Sequence, residues 1–155
     1  MKDEFQQKIP TRYLRLQATS SDDLKVLSAL LQDSIVQVAD ILYTPSQKKV
    51  IMILQRFRWE LTNGAKTIGK QIGYQRCLCG LVIEKVEYMR TQRIDMNDRS
   101  QFLNLLTFFE SDQRLDLQFS DSKTIRLGVN ALKLTAKDIG ESWPTTLLPK
   151  HEETT

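Results

Sequence analysis

The sequence predicts an α+β fold: an antiparallel, strongly curled sheet or split β-barrel of pleckstrin-homology (PH-like) type. One helix lies in its N-terminal half and a short helix closes its C-terminus. Three observations predict it. About seven or eight segments alternate apolar and polar residues, the period-two mark of strands with one buried face. A single long segment, DLKVLSALLQDSI, places its leucines at helical spacing. Strand–helix–strand alternation, which a parallel sheet requires, is missing.

The elements follow in chain order. Residues 1–11 are polar and read as a flexible tail, and RYLRLQA reads as a short strand through Tyr13, Leu14 and Leu16. In TSSDDL, Ser20 is placed to cap free helix amides, with Asp23 three residues later completing a capping box. A helix from about 21 to about 34 then puts Leu24, Leu27, Leu31 and Ile35 on one face. IVQVADILY reads as a strand, and TPSQKK as a turn in which Pro45 fixes φ.

KVIMILQRFRWEL predicts a long strand, apolar on both faces at first and charged later, so that it starts in the core and ends at a rim. TNGAKTIGKQIGYQ reads as a glycine-rich loop, and RCLCGLVIEKVEYMRTQRI returns to strand character. FLNLLTFFE fits a strand or a short helix, and RLDLQFS and KTIRLGV flank SDS as a hairpin. ALKLTAKDIGESW reads as the closing helix or helical turn, and the chain from 146 to 155 as a second flexible tail. Residues 12–145 thus form one domain, with enough chain to bury a core without disulfides or metals.

Composition excludes some functions. No apolar run approaches the roughly 20 residues of a membrane span, and the polar, acid-containing start MKDEFQQKIPTRY is unlike a signal or transit peptide. A cytoplasmic protein with no membrane partner is expected. Cys77 and Cys79 share one face of an extended segment and read as buried or half-buried free thiols. With His151 the only histidine, set in a polar stretch, no catalytic residue, metal or cofactor site is expected. The sequence leans against an enzyme and leaves one of unknown type open.

Charge is uneven. Between Lys48 and Arg93 there are ten basic residues and three acids, a net of +7 within a chain whose net charge is +3. Inside this region GAKTIGKQ, 64–71, comes one residue short of the phosphate-binding pattern G-x-x-x-x-G-K-[ST], because Gln71 replaces the hydroxyl that holds Mg²⁺. A P-loop also needs a buried strand before it and a helix after it, and here a charged strand precedes and another strand follows. Arg56-Phe57-Arg58-Trp59 interleaves bases with aromatics like a single-strand stacking platform. Alternation instead buries Phe57 and Trp59 and leaves the arginines to pair with Glu60 or a neighbouring strand.

Taken together, DLKVLSALLQDSIVQVAD, YTPSQKKVIMILQRFRWE, GLVIEKVEYMR and IRLGVNALKLTAKDIGESW resemble an uncharacterised, mainly alphaproteobacterial family, domain-of-unknown-function family 2948. The resemblance covers about 13–145; its more specific parts are QRFRWE and LTAKDIG, and it implies no activity.

A strong fold pattern with little chemistry points to a small non-catalytic interaction or scaffold domain, binding another protein or itself. The expected partner-binding or anion-binding residues form a basic rim: Arg56, Arg58, Lys66, Lys70 and Arg76. The alternative is an anion- or nucleic-acid-binding module that uses the basic 48–93 region, with nucleic acid the less favoured ligand.

Overall fold

The structure, a computed structural model, describes residues 13–61, 74–145 and 149. The expected tails at 1–11 and 146–155, Pro149 apart, lie outside the described residues, as does the glycine-rich loop from 62 to 73 with Lys66 and Lys70.

Strand β1, Arg15–Ala18, leads into the one α-helix among the described residues, α1, Ser21–Leu31. Its start is built as the local sequence dictates. Ser20 sits in extended backbone and its Oγ accepts from the Asp23 amide at 3.1 Å. The Asp23 carboxylate in turn accepts from the Thr19 amide at 2.9 Å, and this bond holds its pKa below the ordinary value. Leu24, Leu27 and Leu31 are buried, each contributing about 1.5–3 kcal/mol of transfer free energy. The helix stops at Leu31, three residues short of the expected end. Asp33, at φ 65°, turns the chain, and Ile35 begins a strand rather than extending the helical face.

The IVQVADILY segment is broken. Strand β2, Ile35–Gln37, and β3, Ile41–Thr44, are separated by a 3₁₀ turn at Val38–Asp40. A second 3₁₀ turn, Pro45–Gln47, ends in left-handed Lys48 and delivers β4, Lys49–Phe57. Strand β5, Tyr74–Ile83, pairs with β4 over eight residue positions, from Val50↔Ile83 to Phe57↔Arg76. The long segment after Cys77 is not one strand. At Glu84-Lys85, with Lys85 at φ 61°, the chain turns a corner and β6, Val86–Gln92, joins a different part of the sheet.

Strand β7, Phe102–Ser111, settles the strand-or-helix choice for FLNLLTFFE in favour of the strand. The expected hairpin is present as β8, Arg114–Phe119, and β9, Lys123–Val129. The expected C-terminal helix is replaced by strands β10, Leu134–Asp138, and β11, Trp143–Thr145. The reason is pairing: β10 lies between β1 and β5 and satisfies both neighbours, while Leu134, Ala136 and Asp138 alternate inward.

All strand pairs are antiparallel, in the order β1-β10-β5-β4-β2-β7-β8-β9-β6, with β3 on β4 and β11 on β5. The sheet does not close. It gives an α+β architecture with a single apolar core that gathers Val50, Met52, Leu54 and Leu81 from one half of the sheet. Leu105, Leu117, Ile125 and Leu127 come from the other half. Helix α1 packs against β7 and β1.

Candidate functional site

The core face of β4 does not end with its apolar residues. Val50, Met52 and Leu54 are followed, at the next inward position, by Arg56, whose side chain is 0 % exposed. A buried guanidinium is costly unless nearly every donor finds an acceptor. Arg56 Nε donates to Asp138 Oδ1 at 2.9 Å and Nη2 to Oδ2 at 2.8 Å. Nη1 and Nη2 donate to the two oxygens of Glu60 at 2.9 and 2.8 Å. One planar cation is thereby forked against two carboxylates.

The partners come from distant parts of the chain. Asp138 is the last residue of β10, and Glu60 lies in the 3₁₀ turn Trp59–Leu61 that follows β4. Arg58, also buried, donates to Glu60 Oε2 at 3.2 Å and to the Ser142 hydroxyl, and its guanidinium lies 5.4 Å from the Tyr13 ring centre. Asp138 Oδ2 accepts the Leu14 amide at 2.7 Å, while the Asp138 amide donates to the Leu14 carbonyl at 3.0 Å. Two arginines and two acids thus make a balanced cluster that ties β1, β4 and β10 together.

Burial is the largest single influence and raises both carboxylates, but the hydrogen bonds and charge of Arg56, with the backbone amides and Arg58, together outweigh it and hold Asp138 and Glu60 below their ordinary values. The same pairs hold Arg56 above its ordinary value against the desolvation that opposes its charge. Cys77 and Cys79 flank the cluster as buried free thiols, matching the expectation from their spacing. Burial pushes Cys77 up to about 11 and Cys79 up to about 12, so both are protonated at neutral pH and neither is a nucleophile there.

This placement corrects the expected basic rim. Arg56 and Arg58 are inside the protein, engaged by its own carboxylates, and not on a surface. Pairing with Glu60 was legible from the sequence; Asp138 was not. Arg76 is half-buried, donates to the carbonyls of Asp33 and Gln55 at 3.2 and 3.0 Å, and lies 5.4 Å from the Phe57 ring centre. Burial lowers its pKa, opposed by the charge of Asp33. Three of the five expected residues therefore gather at one end of the sheet as structural elements, and Lys66 and Lys70 lie outside the described residues. Among the described residues no group of three or more His, Cys, Asp or Glu side chains is placed to hold a metal ion.

The other side of these strands is different. Outward positions of β3, β4 and β5 carry Leu42, Ile51, Ile53, Leu78 and Val82, and Ile139 follows β10. Register aligns them, since Leu42 pairs with Ile51, Ile51 with Val82, and Ile53 with Gly80. Ile139 donates its amide to the Leu78 carbonyl at 2.8 Å and its side chain reaches over Gly80. Leu42 is 58 % and Ile139 52 % exposed. Arg15, Lys49 and Lys137 border this aliphatic centre on its strands, and Glu84, 3.9 Å from Lys133, follows β5 beyond it. The buried cluster and the exposed face are linked, because Asp138 points inward to Arg56 while its neighbour Ile139 points outward.

Fold and cluster define an antiparallel α+β domain with a structural ionic core and an apolar outer sheet face. The sequence profile of DUF2948, described as a protein of unknown function, matches residues 14–151, and the chain belongs to that family. No curated protein and no solved structure matches it. No helix among the described residues is long and apolar enough to cross a membrane.

Proposed function

We propose that the chain is a non-catalytic interaction domain that docks a protein partner on the outer face of β4, β5 and β10. The observation that carries the reading is the continuous aliphatic centre on that face, of the kind that marks interaction sites on soluble domains. The border of Arg15, Lys49 and Lys137 selects the partner's chemistry: an apolar segment flanked by carboxylates. A second copy of the chain would bring like charges to the same border and is disfavoured. The cluster of Arg56, Asp138 and Glu60 supports the role indirectly, by holding β10 in register beneath the face.

Gly80 offers a clean test. A Cβ there meets only ordinary contacts, at 3.8 Å from Ile139 Cγ2 and 3.9 Å from the Lys137 carbonyl, so Gly80→Glu places a charge at the centre of the face without disturbing the core. A photo-crosslinking residue at 78 or 139, used in the native cell, is expected to capture one partner chain. One at Gln118, in the other half of the sheet, is not, and Gly80→Glu abolishes the capture. Equal capture from position 118 would refute the docking face, and crosslinks between copies of the chain would replace the acidic partner with a homodimer.

A further inference from the structure

We propose that the other half of the sheet carries a phosphate-binding site formed by Arg90 of β6 and Arg126 of β9. The two residues are direct cross-strand partners, and Arg126 is in turn opposite Asp116 of β8. Like charges directly opposite on one face of a sheet are unfavourable, so the pairing needs a compensating negative charge. Asp116 supplies it to Arg126 and not to Arg90, accepting from Arg126 Nε at 2.9 Å and Nη2 at 3.0 Å. Arg114, 3.8 Å away, draws on the same carboxylate. Arg90 has no ion pair among the described residues.

Each guanidinium is held by a neighbouring side chain. The fork to Asp116 fixes the plane of Arg126 and leaves its Nη1 unengaged among the described residues. Arg90 lies over the Tyr88 ring, 4.8 Å from its centre. Tyr88 is itself seated on Gly128, where a Cβ would fall 2.0 Å from the ring, so only glycine lets the aromatic lie flat on β9. Arg90, Gln92, Thr124 and Arg126 line a concavity of ≈ 260 Å³. A concavity of this size suits a small anion or the anionic end of a larger molecule. The Arg90 guanidinium and the Nη1 group of Arg126, beside the side chains of Gln92 and Thr124, offer several donors to the oxygens of a phosphate group.

The test is a calorimetric titration of the full chain at low ionic strength, with inorganic phosphate and with AMP as probes. Saturable binding is expected, weakened at least tenfold by Arg90→Ala and retained in Lys123→Ala. Among the described residues Arg90 makes no ion pair and only the contact with Tyr88, so Arg90→Ala is expected to change Tm little, which separates lost binding from lost folding. Equal affinity for the two probes assigns the site to the phosphate group itself; tighter AMP binding assigns it to a phosphate ester. Absence of saturable binding in the wild type, unchanged binding in Arg90→Ala, or an equal loss in Lys123→Ala would each overturn the proposal, the last by marking a diffuse charge effect.

Discussion

Arg56 and Asp138, 82 positions apart, meet through two hydrogen bonds of 2.9 and 2.8 Å between side chains that are both 0 % exposed. A pair of this kind is sensitive to losing one member, because the survivor is left charged and buried. Arg56→Met is expected to cost about 3–5 kcal/mol in urea-induced unfolding, and Asp138→Leu a similar amount. Removing one charge of each sign, as Arg56→Met with Asp138→Leu, leaves Glu60 to pair with Arg58 and is expected to recover much of the loss. A double variant no more stable than Arg56→Met would show that the ion pair itself, and not the avoidance of orphaned charge, holds this end of the sheet.

Acid should act through the same cluster. Asp138 and Glu60 have folded pKa values below their ordinary 3.8 and 4.5. The stability they contribute is present above those ordinary values and is lost as pH falls through the depressed ones. Unfolding free energy measured from pH 7 down to pH 2 is expected to fall most steeply below about 4, the ordinary carboxylate range. Arg56→Met should flatten that limb; an unchanged acid limb in the variant would move the cause elsewhere.

The thiols give the opposite dependence. Their folded pKa values of about 11 and about 12 lie above the ordinary 9.0, so the unfolded chain releases protons first. Stability is therefore present below 9.0 and declines as pH rises from 9.0 towards the folded values. Replacing both with Ala or Val removes this alkaline decline. In the native wild type, a thiol-specific disulfide reagent is expected to react at the rate of protein opening; immediate reaction at pH 8 would contradict the burial of Cys77 and Cys79.

Two glycines predict opposite signs for one substitution. At Gly80 an added methyl meets no atom closer than 3.8 Å, and Gly80→Ala is expected to stabilise. The gain is about 0.5–1 kcal/mol, the cost of glycine's extra backbone freedom. At Gly128 the same methyl enters the Tyr88 ring at 2.0 Å. Gly128→Ala should destabilise by about 1–3 kcal/mol, as overpacking does, and should displace Arg90 with the ring. Thermal melts of the two variants check this directly.

Legibility of the fold depended on the range of the interactions. The cap by Ser20 and Asp23 and the hairpin at SDS were readable because their determinants lie within a few residues of one another. The corner at Glu84-Lys85 was not, since alternation continues on both sides of it and only the change of neighbouring strand reveals the break. Leu134-Thr135-Ala136-Lys137-Asp138 has the composition of a closing helical turn and the alternation of a strand. What decides the matter is the presence of β1 and β5 on either side, which no local pattern contains. Arg56 was assigned to a surface for the same reason: its type suggests solvent, and the acid that buries it lies on β10. The outer face has no local signature, because Leu42, Leu78 and Ile139 come from separate segments that only the pairing of the strands brings together.

Pairing of β1 with β10 has a consequence for synthesis. Arg15 finds its partner only when Lys137 has been made, and Leu14 its clamp only when Asp138 has. At about 5–20 residues per second, the N-terminal strand waits on the order of 6–25 s for the strand that receives it. Until then Leu14 and Leu16, which pack on the finished core, have no permanent place. A nascent chain stalled before Lys133 is therefore expected to expose β1 to chaperones, and emergence of β10 to dock β1 and complete this edge of the core at once.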